Sequence, residues 1–265
     1  MIYNHIGFDN NATYYEHNLK SKKIPNVFIH GVGLNVEMWD PQKKFFKNHE
    51  NVFYDLLNHG NSKKGYRKIN FENLNKQLSD LLRHLKIDKI NLIGFSLGSL
   101  VAQHFASKYP KKINKLVIIA SVHRRSILQK KRVKKRYKKA LKGYSITKNS
   151  INRWFNKEFL NKKPRVYSKF KNILENNKRS DFLAPYKLFV ESEKYKINYN
   201  NINFPTLIIT GQDDVGSRPV MSKSIYKKIK DSKIYIVPRA KHLAIYEKSR
   251  LINTKISNFI KKNSN

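Results

Sequence analysis

The sequence contains no cysteine, which excludes disulfide bonds, a thiolate nucleophile and cysteine-based metal centres. It also lacks long apolar runs. Stretches such as residues 116–120 fall far short of the ~20 residues that span a bilayer, so we predict no membrane span. The first ten residues have no basic segment followed by an apolar one, so no secretory signal is expected. Together with the absence of cysteine, this favours a cytoplasmic location.

Acidic residues are also scarce. The chain has 18 Asp and Glu against 55 Lys and Arg, a formal net charge of +37 with His neutral. Such a charge invites a nucleic-acid hypothesis. However, only 12 of the basic residues are Arg, the residue best suited to phosphate and guanine. Lys, Asn and Ile, which all have AT-rich codons, make up 100 of the 265 residues. We therefore interpret most of the lysine excess as genome composition and expect no nucleic-acid partner.

What the chain does contain is an alternation of short apolar runs with helix-length segments. With 40% hydrophobic residues there is ample material for a core. The continuously apolar runs are typical of parallel strands covered on both faces. The pattern therefore predicts an α/β fold with a mostly parallel central sheet flanked by helices. The predicted strands are residues 27–29, 52–54, 90–93, 116–119, 206–209 and 234–237, and the predicted helices are residues 71–85, 97–109, 219–229 and 243–260.

One stretch, residues 124–201, interrupts this rhythm because it contains no convincing buried strand. Helical blocks are predicted around residues 131–144, 150–159 and 164–174. We interpret the stretch as a helical cap inserted between two strands. The predicted domains are thus a core of residues 1–123 and 202–265 and a cap of residues 124–201. Residues 124–142 of the cap include eleven Lys or Arg among nineteen residues and no acid.

The segment Gly94-Phe95-Ser96-Leu97-Gly98 fits the pattern G-x-S-x-G. A predicted buried strand precedes it and a predicted helix follows it. In such a tight strand-to-helix turn the glycines relieve crowding and the serine side chain is held out at the carboxyl end of the sheet. The pattern predicts Ser96 as a nucleophile, whereas the simpler alternative is a plain tight turn with a small residue.

A serine nucleophile needs a base and an acid that orients the base. His242 follows the last predicted strand and could reach a central serine from that loop. Asp214 follows the strand 206–209 and is the better candidate for the acid, with Asp213 as the near competitor. The alternatives are a loop histidine that caps the last helix and a carboxylate that caps a turn.

The developing oxyanion of acyl transfer needs two aimed donors, and losing one costs about 3 kcal/mol. The backbone N–H of Leu97 is the first candidate because it follows the nucleophile at a helix N-terminus. The second should come from the loop His30-Gly31-Val32-Gly33, where the backbone N–H of Val32 is the natural donor.

These segments together resemble the α/β-hydrolase superfamily over nearly the whole chain. Residues 55–62 are similar to the family's D-x-x-G-H-G-x-S, except that Asn58 stands where the family usually has Gly. This departure affects a structural turn and not the triad. Residues 211–219 and 240–244 resemble the group that includes 3-oxoadipate enol-lactonases and related small-ester hydrolases.

The resemblance implies hydrolysis of a small carboxylic ester or lactone through an acyl-enzyme. In that mechanism Ser96 attacks, His242 transfers the proton and Asp214 orients the imidazole, with no metal or organic cofactor. A serine rather than an aspartate nucleophile argues against the dehalogenases and epoxide hydrolases of this fold. A carbon–carbon bond hydrolase or an acyltransferase on the same triad stays open, and the oligomeric state is not predicted.

Two further hypotheses concern the basic cap. The first is a non-catalytic basic protein on this fold that binds nucleic acid or an anionic membrane through residues 124–142. The second places His123 and Arg124 in the substrate pocket, where they would favour an anionic substrate. The alternative for these two residues is a cap hinge with solvated side chains.

Overall fold

The computed structural model describes residues 5–21 and 23–262. The predictions about the first residues and the outer ends of the core therefore fall partly outside the described residues. The described part forms one sheet of eight strands. These are β1 (His5–Phe8), β2 (Tyr14–His17), β3 (Asn26–Ile29), β4 (Asn51–Tyr54), β5 (Ile90–Phe95), β6 (Ile113–Ile119), β7 (Thr206–Gly211) and β8 (Ser232–Val237).

Eleven α-helices accompany the sheet in the same described ranges. They are α1 (Asp40–Phe45), α2 (Phe71–His84), α3 (Leu97–Lys108), α4 (Ile127–Leu141), α5 (Thr147–Trp154), α6 (Lys157–Lys162), α7 (Pro164–Glu175), α8 (Arg179–Glu191), α9 (Pro219–Tyr226), α10 (Ala244–Glu247) and α11 (Ser249–Lys261). None of them is long and apolar enough to cross a bilayer.

The strand order is β1-β2-β4-β3-β5-β6-β7-β8. Strands β3 to β8 pair in parallel, and the hairpin β1–β2 adds the antiparallel part. This confirms the predicted α/β fold with a mostly parallel sheet. All six predicted runs form strands, whereas the hairpin was not predicted because β1 has only four residues, is largely exposed and contains no continuous apolar run.

The sheet divides the core into two apolar clusters, one on each face, because alternate residues of a strand point to opposite sides. In β3, Val27 and Ile29 belong to one cluster and Phe28 to the other. Helices α2 and α3 pack on the first face. Helix α2 is fixed at its start by Asn70, whose side chain accepts from the Asn73 amide in a reciprocal capping box.

The segment between β6 and β7 contains helices α4 to α8 and no strand among its residues, all of which are described. It accounts for the three predicted helical blocks, with α8 as an addition. The predicted helix 243–260 is divided at Lys248 into α10 and α11. We call the segment between β6 and β7 the cap segment below.

A buried lysine closes the end of the last helix. Lys115 on β6 is 3% exposed, and its ammonium donates to the carbonyls of Phe259 and Ile260 at 3.0 and 2.9 Å and also to that of Lys262. These carbonyls have no partners within α11, and a cation at a helix C-terminus is also favoured by the helix dipole. Lys115 therefore fastens α11 to the centre of the sheet.

We expect Lys115→Met to lower the free energy of unfolding by about 1–3 kcal/mol, because buried carbonyls lose their donor. Thermal or urea denaturation measures the effect. Lys111→Met, at an exposed position just before β6, is the matched control and should change little. Equal stability of the two variants would contradict the role given to Lys115.

Candidate active site

Ser96 occupies the sharp turn between β5 and α3. Its φ of 53° lies in the left-handed region, which is strained for a residue with a side chain. The flanking glycines permit the turn. A Cβ at Gly98 would lie 2.2 Å from the carbonyl oxygen of Ile29, and one at Gly94 would lie 2.3 Å from that of Gly98. The turn thus holds the Ser96 side chain at the carboxyl end of the sheet.

His242 reaches Ser96 from the loop after β8. Its Nε2 lies 3.2 Å from the Ser96 Oγ. The imidazole is enclosed by the ring of Phe95, with centroids 5.0 Å apart, and by the ring of Trp154 at 6.4 Å. Because Trp154 belongs to α5, the cap segment contributes one wall around the histidine.

Asp214 lies in the turn after β7 and is fully buried. Its Oδ2 accepts from His242 Nδ1 at 2.6 Å, while its Oδ1 accepts from the amides of Gly216 and Ser217 at 2.8 and 2.9 Å. Burial raises the pKa of Asp214, but the charge and hydrogen bond of His242 and the two amides outweigh it, so the pKa lies below its ordinary value. The neighbouring Asp213 is exposed.

The three side chains therefore form a continuous hydrogen-bonded series. The ionised Asp214 keeps the proton on Nδ1, so Nε2 is free to accept the hydroxyl proton of Ser96. Such a series can activate a hydroxyl for attack on a carbonyl carbon. Of the two aspartates left open by the sequence, the structure brings Asp214 to the histidine.

The two predicted oxyanion donors belong to segments that adjoin Ser96. Leu97 is the first residue of α3, so its amide has no acceptor within the helix. The loop that contains Val32 passes close to the serine, since a Cβ at Gly31 would lie 3.2 Å from the Ser96 Cβ. The amide of Val32 donates no hydrogen bond to any residue that the structure describes. Both amides are thus free to face a ligand.

A cavity of about 690 Å³ opens beside Ser96 and His242. Val32 and Phe95 line it from the core, and helices α4, α5 and α8 of the cap segment supply Val133, Trp154 and Tyr186. A cavity of this size suits a small organic molecule. The hydrogen-bonded series thus lies in the wall of this cavity.

The α/β hydrolase fold family matches residues 27–249. This chain belongs to the α/β-hydrolase fold family. The match covers all but the first residue of β3, the strands β4 to β8 and the whole cap segment, together with Ser96, Asp214 and His242. It confirms the resemblance found in the sequence.

Three relatives of this α/β-hydrolase are informative. It is 25% identical over 247 residues to (E)-2-((N-methylformamido)methylene)succinate hydrolase of Acinetobacter baylyi, covering 92% of each chain. It is 21% identical over 237 residues to 3-oxoadipate enol-lactonase 2 of the same species, covering 89% of this chain and 88% of that one. It is 29% identical over 258 residues to pimeloyl-[acyl-carrier protein] methyl ester esterase of Wigglesworthia glossinidia brevipalpis, covering 91% and 95%. All three are named as hydrolases, lactonases or esterases, and the protein is an enzyme of this fold.

The structure does not bring His123 and Arg124 to the cavity of this α/β-hydrolase. His123 Nδ1 lies 3.4 Å from the hydroxyl of Tyr199, and Arg124 is exposed. The reason is local. Arg124 has a φ of 49°, a left-handed turn that points its side chain to solvent and sends the next residue, Arg125, inward to the cavity wall.

Five arginines that the sequence does not single out line the cavity. These are Arg125, Arg132, Arg136, Arg153 and Arg218. Three of them lie within the basic stretch 124–142, but the turn at Arg124 and the phase of α4 decide which side chains face inward. For Arg153 and Arg218 the sequence carries no signal, because each is an isolated arginine in its segment.

Asn58 stands where the family usually has glycine, and it can adopt the backbone conformation that this turn requires. Its φ is 61°, a left-handed conformation that Asn tolerates better than most residues. Its side-chain amide donates to the carbonyls of Tyr66 and Asp181 at 2.8 and 3.1 Å. Since Asp181 lies on α8, this residue also ties the core to the cap segment.

Proposed function

We propose that this α/β-hydrolase cleaves a small carboxylic ester or lactone through an acyl-enzyme on Ser96. The observation that supports it most is the series Ser96 Oγ–His242 Nε2 at 3.2 Å and His242 Nδ1–Asp214 Oδ2 at 2.6 Å in the wall of the cavity. Relatives named as an enol-lactonase and a methyl ester esterase favour the same bond type.

The first half of the reaction forms the acyl-enzyme. Ser96 Oγ attacks the carbonyl carbon while His242 Nε2 takes the hydroxyl proton. Negative charge then develops on the carbonyl oxygen, and the amides of Val32 and Leu97 stabilise it. His242 passes its proton to the leaving alkoxide, which departs as an alcohol or, for a lactone, stays attached as a hydroxyl group.

The second half releases the acid. His242 accepts a proton from water, the hydroxide attacks the acyl carbon, and the same two amides stabilise the second oxyanion. The proton then returns to Ser96 Oγ as the acyl bond breaks. Asp214 remains ionised throughout and stabilises the imidazolium. No step requires a group other than these side chains, two amides and water.

We also propose that the two parts of the chain have different roles. Residues 1–123 and 202–265 form the core that holds the triad, and residues 124–201 form a cap that shapes the substrate cavity. Trp154 supports this division, since it reaches His242 from the cap. So does Asn156, whose side chain donates to Glu247 Oε1 at 2.7 Å and joins the cap to α10.

A fluorophosphonate probe tests the nucleophile directly. We expect stoichiometric labelling of the wild-type protein, with the modified peptide containing Ser96, because only an activated serine reacts with such a probe. The control is Ser96→Ala, which should stay unlabelled. A folded wild-type protein that fails to react while a known esterase reacts would contradict the proposed function.

A further inference from the structure

The cavity beside Ser96 has an excess of positive charge. Its lining includes five arginines, of which Arg136 and Arg153 come from α4 and α5. The acidic residues in the same lining are Asp213 and Asp214, and Asp214 is already paired with His242. A cavity for a purely neutral substrate would gain nothing from this arrangement.

One of the five arginines is neutralised within the protein. Arg125 is 5% exposed, and its guanidinium lies 3.9 Å from Glu193 and donates to the carbonyl of Phe189 at 3.0 Å. It also stacks over the ring of Phe189 at 4.6 Å. Arg125 therefore holds α4 and α8 together and is not available to a ligand.

Arg136 and Arg153 have no such partner. Among the described residues, neither forms an ion pair within 4.0 Å, and the buried Nε of Arg136 has no hydrogen-bond acceptor. Burial and the charge of Arg136 lower the pKa of Arg153 to about 10, so Arg153 remains charged at neutral pH.

Unpaired charges withdrawn from water destabilise a protein unless an opposite charge compensates them. The two guanidiniums face one cavity from different helices. One bound anion would therefore compensate both positive charges. A carboxylate is well suited, because a guanidinium can donate two parallel hydrogen bonds to it. The two unpaired guanidiniums therefore favour an anionic ligand.

Arg153 is also fixed relative to the reacting groups. The carbonyl of the next residue, Trp154, accepts from the amide of Leu243 at 2.9 Å. This bond ties the end of α5 to the residue that follows His242. The charge of Asp214 acts on Arg153 as well. An anion held by Arg153 would thus lie at a defined place with respect to Ser96.

We infer that Arg136 and Arg153 bind a carboxylate in the acyl part of the substrate. The substrate would then be a half-ester or a lactone derived from a dicarboxylic acid. We assign the carboxylate to the acyl part because only this part stays attached to Ser96 between the two halves of the reaction. Binding of its carboxylate would therefore position the substrate for both the formation and the hydrolysis of the acyl-enzyme. The inference rests on the proposed function for the bond that is cleaved.

Two esters of equal chain length test it. Mono-p-nitrophenyl adipate and p-nitrophenyl hexanoate differ in the terminal carboxylate. We expect the wild type to show a higher kcat/KM for the adipate ester. Arg153→Gln and Arg136→Gln should each reduce that preference by roughly 10- to 100-fold, as expected when a hydrogen bond to a charged group is lost. Because the preference compares the two esters within one variant, any effect of the substitution that is common to both esters cancels.

Two variants control for charge and folding. Arg165→Gln removes an exposed arginine of α7 that lies outside the cavity lining, and it should keep the wild-type preference. Arg153→Lys keeps the charge and should keep part of the preference for the adipate ester. Melting temperatures establish that all variants fold. An equal preference in wild type and Arg153→Gln would overturn the inference while leaving ester hydrolysis intact.

A binding measurement separates the inference from the proposed function. Calorimetry with Ser96→Ala should detect adipate, and the double variant with Arg153→Gln should bind it at least tenfold more weakly. Adipate binding without hydrolysis of either ester would support the arginine site but contradict the proposed function. Binding of inorganic phosphate without adipate, or no binding together with no ester preference, would overturn the carboxylate assignment.

Discussion

Ser96→Ala should abolish ester hydrolysis, with a fall in kcat of roughly 10⁶-fold, the size of loss seen when a triad serine is removed. The hydroxyl is the atom that would form the acyl-enzyme, and no neighbouring group replaces it. In the structure its Oγ contacts His242 Nε2. The variant should therefore fold normally, which circular dichroism and melting temperature can verify. Steady-state kinetics with a p-nitrophenyl ester give the loss.

Ser99→Ala is the matched control for this change. Ser99 is a buried serine one turn further along α3, and its hydroxyl donates to the Ser96 carbonyl. Its removal should cost some stability but leave most of the hydrolysis. The assignment of the nucleophile would be wrong if Ser96→Ala kept its activity while Ser99→Ala lost it.

Asp214→Asn should lower kcat by about 10⁴-fold, because the orienting acid fixes the tautomer of the base. The oxygen of the introduced amide can still accept from the backbone amides of Gly216 and Ser217. Its NH₂ group then faces His242 Nδ1 and donates to it. The ring proton consequently moves to Nε2, which can no longer accept the proton of Ser96. Steady-state kinetics with the same p-nitrophenyl ester measure the fall.

Asp213→Asn is the matched control for Asp214→Asn. The two aspartates are adjacent, but Asp213 is exposed, whereas Asp214 is buried against His242. We expect Asp213→Asn to retain nearly all of the activity. Retained activity in Asp214→Asn together with a large loss in Asp213→Asn would reverse the assignment of the acid. Equal melting temperatures would exclude misfolding as the cause.

Much of the fold could be predicted because its signals are local. Each buried parallel strand is a short apolar run, and the turn at Ser96 needs two glycines at fixed spacing. The carboxyl ends of β5, β7 and β8 lie at one edge of the sheet, so residues that follow these strands converge. That is why Ser96, Asp214 and His242 could be nominated together, although their catalytic roles remain predictions.

Elements with weaker signals were not predicted. The edge hairpin β1–β2 consists of two strands of four residues each, and neither contains a continuous apolar run. Helix α8 contains Pro185 in its interior, and proline ordinarily breaks a helix. The division between α10 and α11 at Lys248 interrupts a continuous apolar pattern. In each case tertiary packing outweighed the local preference of the sequence.

The cavity arginines could not be predicted for a different reason. The basic stretch 124–142 was recognised, but which of its side chains face inward depends on the backbone turn at Arg124 and on the phase of α4. The placement of Arg153 and Arg136 around one cavity depends on how α4 and α5 are arranged in the assembled cap segment. Composition gives the number of charged residues in a segment, whereas the assembled fold determines which way their side chains point.

The connection between β6 and β7 has a consequence for how such an enzyme can diversify. The strands are parallel neighbours, so the chain must travel back along the sheet between them, which requires about a dozen residues. Residues 120–205 far exceed that need. The surplus can be exchanged for another set of helices without altering a strand register or the turn at Ser96. New substrate preferences can therefore evolve by replacing one insertion, while the reaction machinery is inherited unchanged.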